Sequence, residues 1–289
     1  MTKTVRTPII SVVGSVNLDF VATAAKLPAP GETVTDATLA RYPGGKGANQ
    51  ALAAQRLGAH VHLLARVGGD GLADEALVLL RQEGVDLARC VADAEATTGV
   101  ALIAVSADGE NQIIVAPGAN AAFLPERLSG GVDGALICQL ELPVATVAAA
   151  VEQAAGFVCV NFAPARKVPD MVLQRADLIV VNEGEAAFYG DQLHTGGGLV
   201  AITLGARGAE LYRRGVKLTA ATAPKVKVVD ATGAGDCFVA ALTVALVEGQ
   251  SHARALAFAC AAGSLAATRA GAQPSLPTRA DVEALLGRN

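Results

Sequence analysis

Asp230-Ala-Thr-Gly-Ala-Gly-Asp236, followed by Cys237-Phe-Val-Ala-Ala-Leu-Thr-Val-Ala-Leu, carries the densest chemistry in the chain. Just upstream, Val226, Val228 and Val229 form a β-branched run with lysines between them, which predicts a strand ending at Asp230. Downstream, residues 237–248 are apolar, Ala-rich and free of Gly and Pro, which predicts a helix. A helix starting near residues 233–235 aims unpaired backbone N–H groups and the positive end of its dipole at one spot. Gly233, Ala234 and Gly235 let a ligand come close to that backbone, so the stretch reads as an anion site. Asp236 would repel an anion, and two readings of it compete. Either it is a first-turn acid that complements the helix dipole, or it is a general base beside a phosphoryl-transfer site.

The 289 residues suffice for one large α/β domain or two small ones. Hydrophobic residues make up 52%, enough for a sizeable core and too many for a disordered chain. Aromatics are 3% and Trp is absent, which argues against stacking platforms for bases or sugars. A net charge of −4 without a Lys/Arg block argues against a nucleic-acid or membrane-surface partner. Cys90, Cys138, Cys159, Cys237 and Cys260 form no C-x-x-C or pairing pattern and read as reduced core residues of a cytoplasmic protein. His60, His62, His194 and His252 lack metal-ligand spacing. Residues 1–8 are short and polar, too short for an export signal, and no run approaches the ~18 apolar residues a membrane span needs.

Read in order, residues 9–14 predict a buried strand, with Asn17 and Asp19 on one face of the extended segment that follows. Residues 20–25 and 33–42 predict short strands, as do 98–106 and 111–116, the latter two joined as a hairpin. These two excursions together suggest a small sheet, a lid separate from the main one, drawn from about 19–42 and 97–116. Pro43-Gly-Gly-Lys-Gly-Ala-Asn-Gln50 is a Gly-rich turn feeding a helix; it is not a Walker A loop, because Gly47 follows Lys46 where Ser or Thr is required. Strands at 60–67, 135–140, 157–161, 177–181, 199–203 and 209–213 alternate with helices at 71–83, 143–155, after Asn182, and at 234–248, 251–268 and 279–286. That alternation predicts a mostly parallel sheet with helices on both faces. Polar residues recur where strands end: Asn17 and Asp19, Glu141, Asn161, Asn182, Thr203 and Asp230. They point to one crevice along the carboxyl edge. No internal repeat or linker divides residues 1–289.

Ten segments in order resemble the PfkB-type carbohydrate kinase family, its ribokinase group in particular. They are Gly14-Ser-Val-Asn-Leu-Asp, Gly44-Gly-Lys-Gly-Ala-Asn-Gln-Ala, Thr98-Gly-Val-Ala-Leu-Ile, Pro117-Gly-Ala-Asn-Ala, Gln139-Leu-Glu, Asn161-Phe-Ala-Pro-Ala-Arg, Asn182-Glu-Gly-Glu-Ala, Thr203-Leu-Gly-Ala-Arg-Gly, Asp230-Ala-Thr-Gly-Ala-Gly-Asp and Thr268-Arg-Ala-Gly-Ala-Gln-Pro-Ser. The resemblance implies a ribokinase-like α/β three-layer sandwich with a β-sheet lid that doubles as the clasp of a homodimer. It implies MgATP-dependent phosphorylation of D-ribose at O5. By position, Asn17, Asp19, Gly45, Lys46, Asn49 and Glu141 would surround the sugar. Asp236 would be the base, with Gly233, Ala234 and Gly235 as the anion hole. Asn182 and Glu185 would order Mg²⁺ and phosphate, and Thr203, Gly205, Ala206, Arg207 and Gly208, with Gly235, would lie along the nucleotide. Asp230, Thr232, Ala266, Arg269, Gly271 and Ser275 would hold an activating K⁺.

The chain departs from the family pattern in three places. Val181 precedes Asn182 where the family usually has Pro, Gly196-Gly-Gly198 stands where the ribokinase pattern carries a longer stretch with a helix, and the region before Ala135 looks trimmed. The second departure predicts a less covered sheet face. A sibling kinase acting on deoxyribose, another sugar or a nucleoside stays open from the residues, as does, more remotely, a non-catalytic sugar or nucleotide sensor on the same fold.

Overall fold

The structure, a computed structural model, describes residues 7–287; most of the short polar lead-in, residues 1–6, lies outside them. In chain order the elements are β1 (Ile9–Val13), β2 (Asn17–Ala24), β3 (Thr38–Gly44), α1 (Lys46–Arg56), β4 (His60–Gly68), α2 (Gly71–Ala76), α3 (Val78–Gln82), β5 (Cys90–Asp93), β6 (Gly99–Ser106) and β7 (Asn111–Ala116). There follow β8 (Ala135–Gln139), α4 (Val144–Gln153), β9 (Val158–Asn161), α5 (Asp170–Arg175), β10 (Leu178–Asn182), α6 (Glu183–Tyr189), β11 (Leu199–Thr203), β12 (Ala209–Arg213) and β13 (Val216–Ala221). The chain closes with α7 (Ala234–Val247), α8 (His252–Ala266), α9 (Ala272–Ser275) and α10 (Arg279–Leu286).

The main sheet has nine strands in the order β13-β12-β11-β10-β9-β8-β1-β4-β5. Strands β11 through β5 in that order run parallel, and β12 and β13 close one edge antiparallel. Successive side chains point to opposite faces. Ile10, Val12, Ile137 and Val180 therefore meet Leu52 of α1, Phe238 of α7 and Leu256 of α8 on one face. Val13, Cys138, Val160 and Val181 meet Val147 of α4 and Val172 of α5 on the other. Each fully buried Val, Leu or Ile contributes about 1.5–3 kcal/mol. That outweighs the helix-propensity differences of up to about 0.7 kcal/mol among ordinary residues, so strand alternation fixes the layers even where alanine blurs the helical period.

The lid is a four-stranded sheet, β3-β2-β6-β7, built from both excursions. Its edge strand β3 begins at Thr38 and not at Thr33, because pairing with β2 runs out at Thr23 opposite Thr38. The residues before it follow a turn in which Glu32 N–H bonds Ala29 O. Two further expectations are corrected. Residues 226–229 form no strand: Val228 and Val229 are exposed, and Val229 N–H bonds Ala267 O at the end of α8 in place of a sheet partner. The helix expected over 71–83 breaks into α2 and α3 at Leu77.

The short segment before β11 is accommodated without its own helix. Gly196 and Gly198 pass so close to α5 that an added Cβ would lie 2.1 Å from Leu173 O and 2.1 Å from Ala176 O respectively. Tyr189 and Leu193 then pack with Val181 and Val200. On β12 and β13, Glu210 bonds both Tyr212 and Lys217, so polar side chains cover the strands beyond. The less covered face that the missing helix predicts is therefore not found: side chains cover the sheet there. Among the described residues no helix is long and apolar enough to cross a membrane.

Candidate active site

The carboxyl ends of β1, β8, β9, β10 and β11 open on one edge, and the first turns of α1 and α7 meet there. Gly45, with φ of 87°, caps α1; a Cβ there would stand 2.7 Å from Asn17 N, so glycine lets this turn sit against the start of β2. Gly233, φ 79°, caps α7. Two helix N-termini thus address one crevice, which favours bound negative charge. Ala234 spends its N–H on Ala231 O at 3.1 Å, while the N–H groups of Gly233 and Gly235 find no partner among the described residues. Gly235 has nothing within 4 Å of an added Cβ: this part of the turn faces open space.

Asp236 lies in the first turn of α7, buried. Its Oδ2 accepts from Asn49 Nδ2 and its Oδ1 from Gln50 Nε2, each at 2.9 Å. Burial pushes its carboxyl above the usual carboxylate range, against the pull of Lys46 and of those two amide donors. Lys46 is half-buried on the same crevice and is held above the ordinary lysine range, chiefly by the field of Asp236, with Glu141, Glu185 and Asp19 adding to it. Asp19 on β2 is pushed up to about 7, first by burial and then by the facing charges of Glu141 and Asp236. Gly44 on the neighbouring strand leaves the room its carboxylate needs, since a Cβ would come within 2.3 Å of Oδ2.

Glu141 accepts from Ser15 Oγ at 2.5 Å and from Lys46 N at 3.0 Å, which locks it at the crevice floor. Asn17 is held by Asn120, whose Nδ2 donates to Asn17 Oδ1 at 2.8 Å and to Val16 O at 3.0 Å, so the Asn17 amide nitrogen is left for other partners. Asn49 Oδ1 is buried without a hydrogen-bond partner, an acceptor suited to a hydroxyl.

Asn182 and Glu185 cap α6 reciprocally: Glu185 N–H bonds Asn182 Oδ1 and Asn182 N–H bonds Glu185 Oε2, each at 2.8 Å. Burial raises the Glu185 carboxyl, and Lys46 opposes that from across the crevice. Thr203 pairs in register with Asn182 at the ends of β11 and β10. Beyond it, Gly205 stands in open space at φ of 58°, Ala206 lies in the same short turn, and Gly208 closes it with N–H to Gly205 O at 3.0 Å. Arg207 is ion-paired with exposed Glu183. Asp230 Oδ1 accepts from Thr232 N at 2.9 Å and Thr232 Oγ1 at 2.6 Å, and its Oδ2 accepts from Gly271 N at 2.9 Å. Asp230 therefore ties the loop before α7 to the loop before α9. Ala266 and Ser275 are buried near that junction while Arg269 is exposed. Among the described residues no group of three or more His, Cys, Asp or Glu is placed to hold a metal ion.

The sequence reading passed over Gln50 and left Ser15 and Asn120 without roles. Their signal was weak: each follows or sits inside a motif whose other members carry more obvious chemistry.

A parallel sheet with its crevice at the carboxyl edge, a glycine-lined helix N-terminus and a buried acid beside it define a phosphotransferase-like site on an α/β fold. The family model for pfkB family carbohydrate kinases matches residues 8–279, and the chain belongs to that family. It is 36% identical to the ribokinase of Bacillus subtilis, over 96% of this chain and 99% of that one. The crystal structure of ribokinase from Thermotoga maritima superposes with a TM-score of 0.87 at 32% identity, covering 97% of this chain and 99% of that chain. Arabidopsis thaliana ribokinase, solved in complex with ribose and ATP, superposes at 0.84 and 31% identity, covering 97% and 99%.

Proposed function

We propose that this carbohydrate kinase transfers the γ-phosphoryl group of ATP to O5 of D-ribose, giving ribose 5-phosphate and ADP. The observation that carries the reading is Asp236: buried, oriented by two amides, and next to the open, unpaired N–H of Gly235. The Arabidopsis relative, with its ribose and ATP, supports the choice of substrates. The polar wall of Asn17, Asp19, Lys46, Asn49 and Glu141, with Gly45 in the turn beneath, suits a small polyol.

In this reading the sugar hydroxyl gives its proton to an Asp236 oxygen as its own oxygen bonds the γ-phosphorus, and the bond to ADP breaks. The N–H groups of Gly233 and Gly235 stabilise charge on the moving phosphoryl oxygens, and Lys46 adds a fixed cation. Thr203 and residues 205–208 line the nucleotide. Asn182 and Glu185 would hold Mg²⁺ together with the ATP phosphates, whose charge the ion would neutralise; Glu185 keeps one oxygen uncommitted for that role. The loops of Asp230, Thr232, Ala266, Arg269, Gly271 and Ser275 fit K⁺, because Asp230 already clamps them together and Ser275 donates its hydroxyl hydrogen to Ala272 O, leaving its oxygen lone pairs to accept. The lid would close over the sugar and exclude water, and would dimerise through its apolar side chains.

An acceptor panel tests the reading: ATP consumption with D-ribose, 2-deoxyribose, hexoses and nucleosides, with and without K⁺. D-ribose is expected to give the highest kcat/KM, with stimulation by K⁺. Another acceptor ahead of ribose would reassign the sugar and keep the chemistry.

A further inference from the structure

Asp236 is held by a chain of buried amides whose orientation follows from its far end. Asn161 donates Nδ2 to the backbone carbonyl of Val180 at 3.1 Å, and a carbonyl can accept only. The Asn161 Oδ1 must therefore face Gln50, which presents Nε2 to it at 3.2 Å and, through the second hydrogen, to Asp236 Oδ1 at 2.9 Å. The other end agrees: Gln50 Oε1 accepts from Gln139 Nε2 at 2.6 Å. Gln139 in turn lies against glycine backbone, since a Cβ on Gly14 would sit 2.3 Å from its Oε1. Gln50 and Gln139 are both 0% exposed, so neither reaches a ligand in the crevice.

We infer that Gln50 is a positioning residue for Asp236, fixing how its carboxylate is turned toward the substrate hydroxyl, and that Gln139 and Asn161 hold the Gln50 amide in the required sense. The inference rests on the reading of Asp236 as the base. Other groups facing Asp236 cannot substitute for Gln50. Asp19 from β2 and Glu141 after β8 are acids, Cys237 is a buried thiol, Lys46 is a single charge without a planar fork, and Asn49 also serves the sugar wall. A donor to the carboxylate favours its charged form, so its loss both frees the carboxylate to rotate and makes it harder to ionise.

Gln50→Met keeps volume and removes the donor. The account expects kcat to fall about tenfold to a hundredfold, the loss of one hydrogen bond to a charged group, with the sugar KM within about twofold. It expects the acid limb of kcat/KM to move up by about one pH unit. Gln139→Met should move the limb the same way, and the double variant should be no worse than Gln50→Met alone, because the two act through one chain. Unchanged kcat and limb in folded Gln50→Met would overturn the inference. A second readout needs no turnover: ¹³C NMR titration of aspartate-labelled protein, with Asp236→Asn assigning the resonance. If the wild type phosphorylates no acceptor, the proposed function falls, yet an upward shift of the Asp236 titration in Gln50→Met still supports the positioning role and an unmoved one refutes it. Should Gln50→Met not fold, the same titration in Gln139→Met decides.

Discussion

Gly235 and Asp236 stand side by side in the first turn of α7, one open to the crevice and one buried. A methyl at Gly235 meets no atom within 4 Å, and its backbone is not in the left-handed region. Gly235→Ala should therefore raise stability, by about 0.5–1 kcal/mol as Gly→Ala does in helices, while placing a methyl where the phosphoryl oxygens must come. Turnover is expected to drop by about 10²-fold with an unchanged or higher Tm; full turnover in this variant would remove the 233–235 turn from the mechanism. Asp19 offers the complementary test. Its folded pKa of about 7 lies above the ordinary 3.8, so its contribution to stability is complete below pH 3.8 and is lost as pH rises to about 7. Asp19→Asn should accordingly be more stable than the parent at pH 8, by on the order of 1–3 kcal/mol. That advantage should fade by pH 4 in urea unfolding, and the variant should bind the sugar poorly. Equal stability at both pH values would mean that the site stores no such cost.

At the scale of elements, Gly271 joins the lid to the loop before α9. It adopts φ of 80°, and a Cβ would lie 2.5 Å from the Tyr42 ring on β3. Gly271→Ala should strain that loop and push β3 away, weakening sugar binding and K⁺ stimulation together; retention of both would uncouple lid and loop. The same region shows what the sequence could and could not convey. The β6–β7 hairpin was legible because two apolar runs rich in β-branched residues flank an Asp-Gly turn. β13 was passed over: Val216, Leu218 and Ala220 alternate as a strand face does, but the segment is a short edge strand that stays largely exposed. Residues 226–229 misled for the opposite reason: β-branched residues signal a strand, yet the backbone needs a neighbouring ladder and here finds only the end of α8. In the site, Asp236 and its glycines were legible from residue type and spacing. Gln50 was not, since a glutamine inside a helix looks alike whether it faces water or a buried carboxylate.

For the whole molecule, the sheet carries the crevice at one edge and the lid overhangs it. The lid strands leave Leu39, Leu102 and Ile114 more than half exposed, at 67%, 51% and 69%. Leu102 and Ile114 are register partners on one face, an apolar surface that a second copy would cover. Light scattering after gel filtration is expected to give a dimer, and Ile114→Lys a monomer; a monomeric parent at micromolar concentration would refute the clasp. Base-assisted transfer to ribose is tested by ³¹P NMR of the product formed from ATP and D-ribose, with Asp236→Asn alongside the wild type. The wild type should give ribose 5-phosphate, and the variant a rate lower by about 10²–10⁴-fold. A phosphate on another oxygen, or a variant as fast as the wild type, would contradict it.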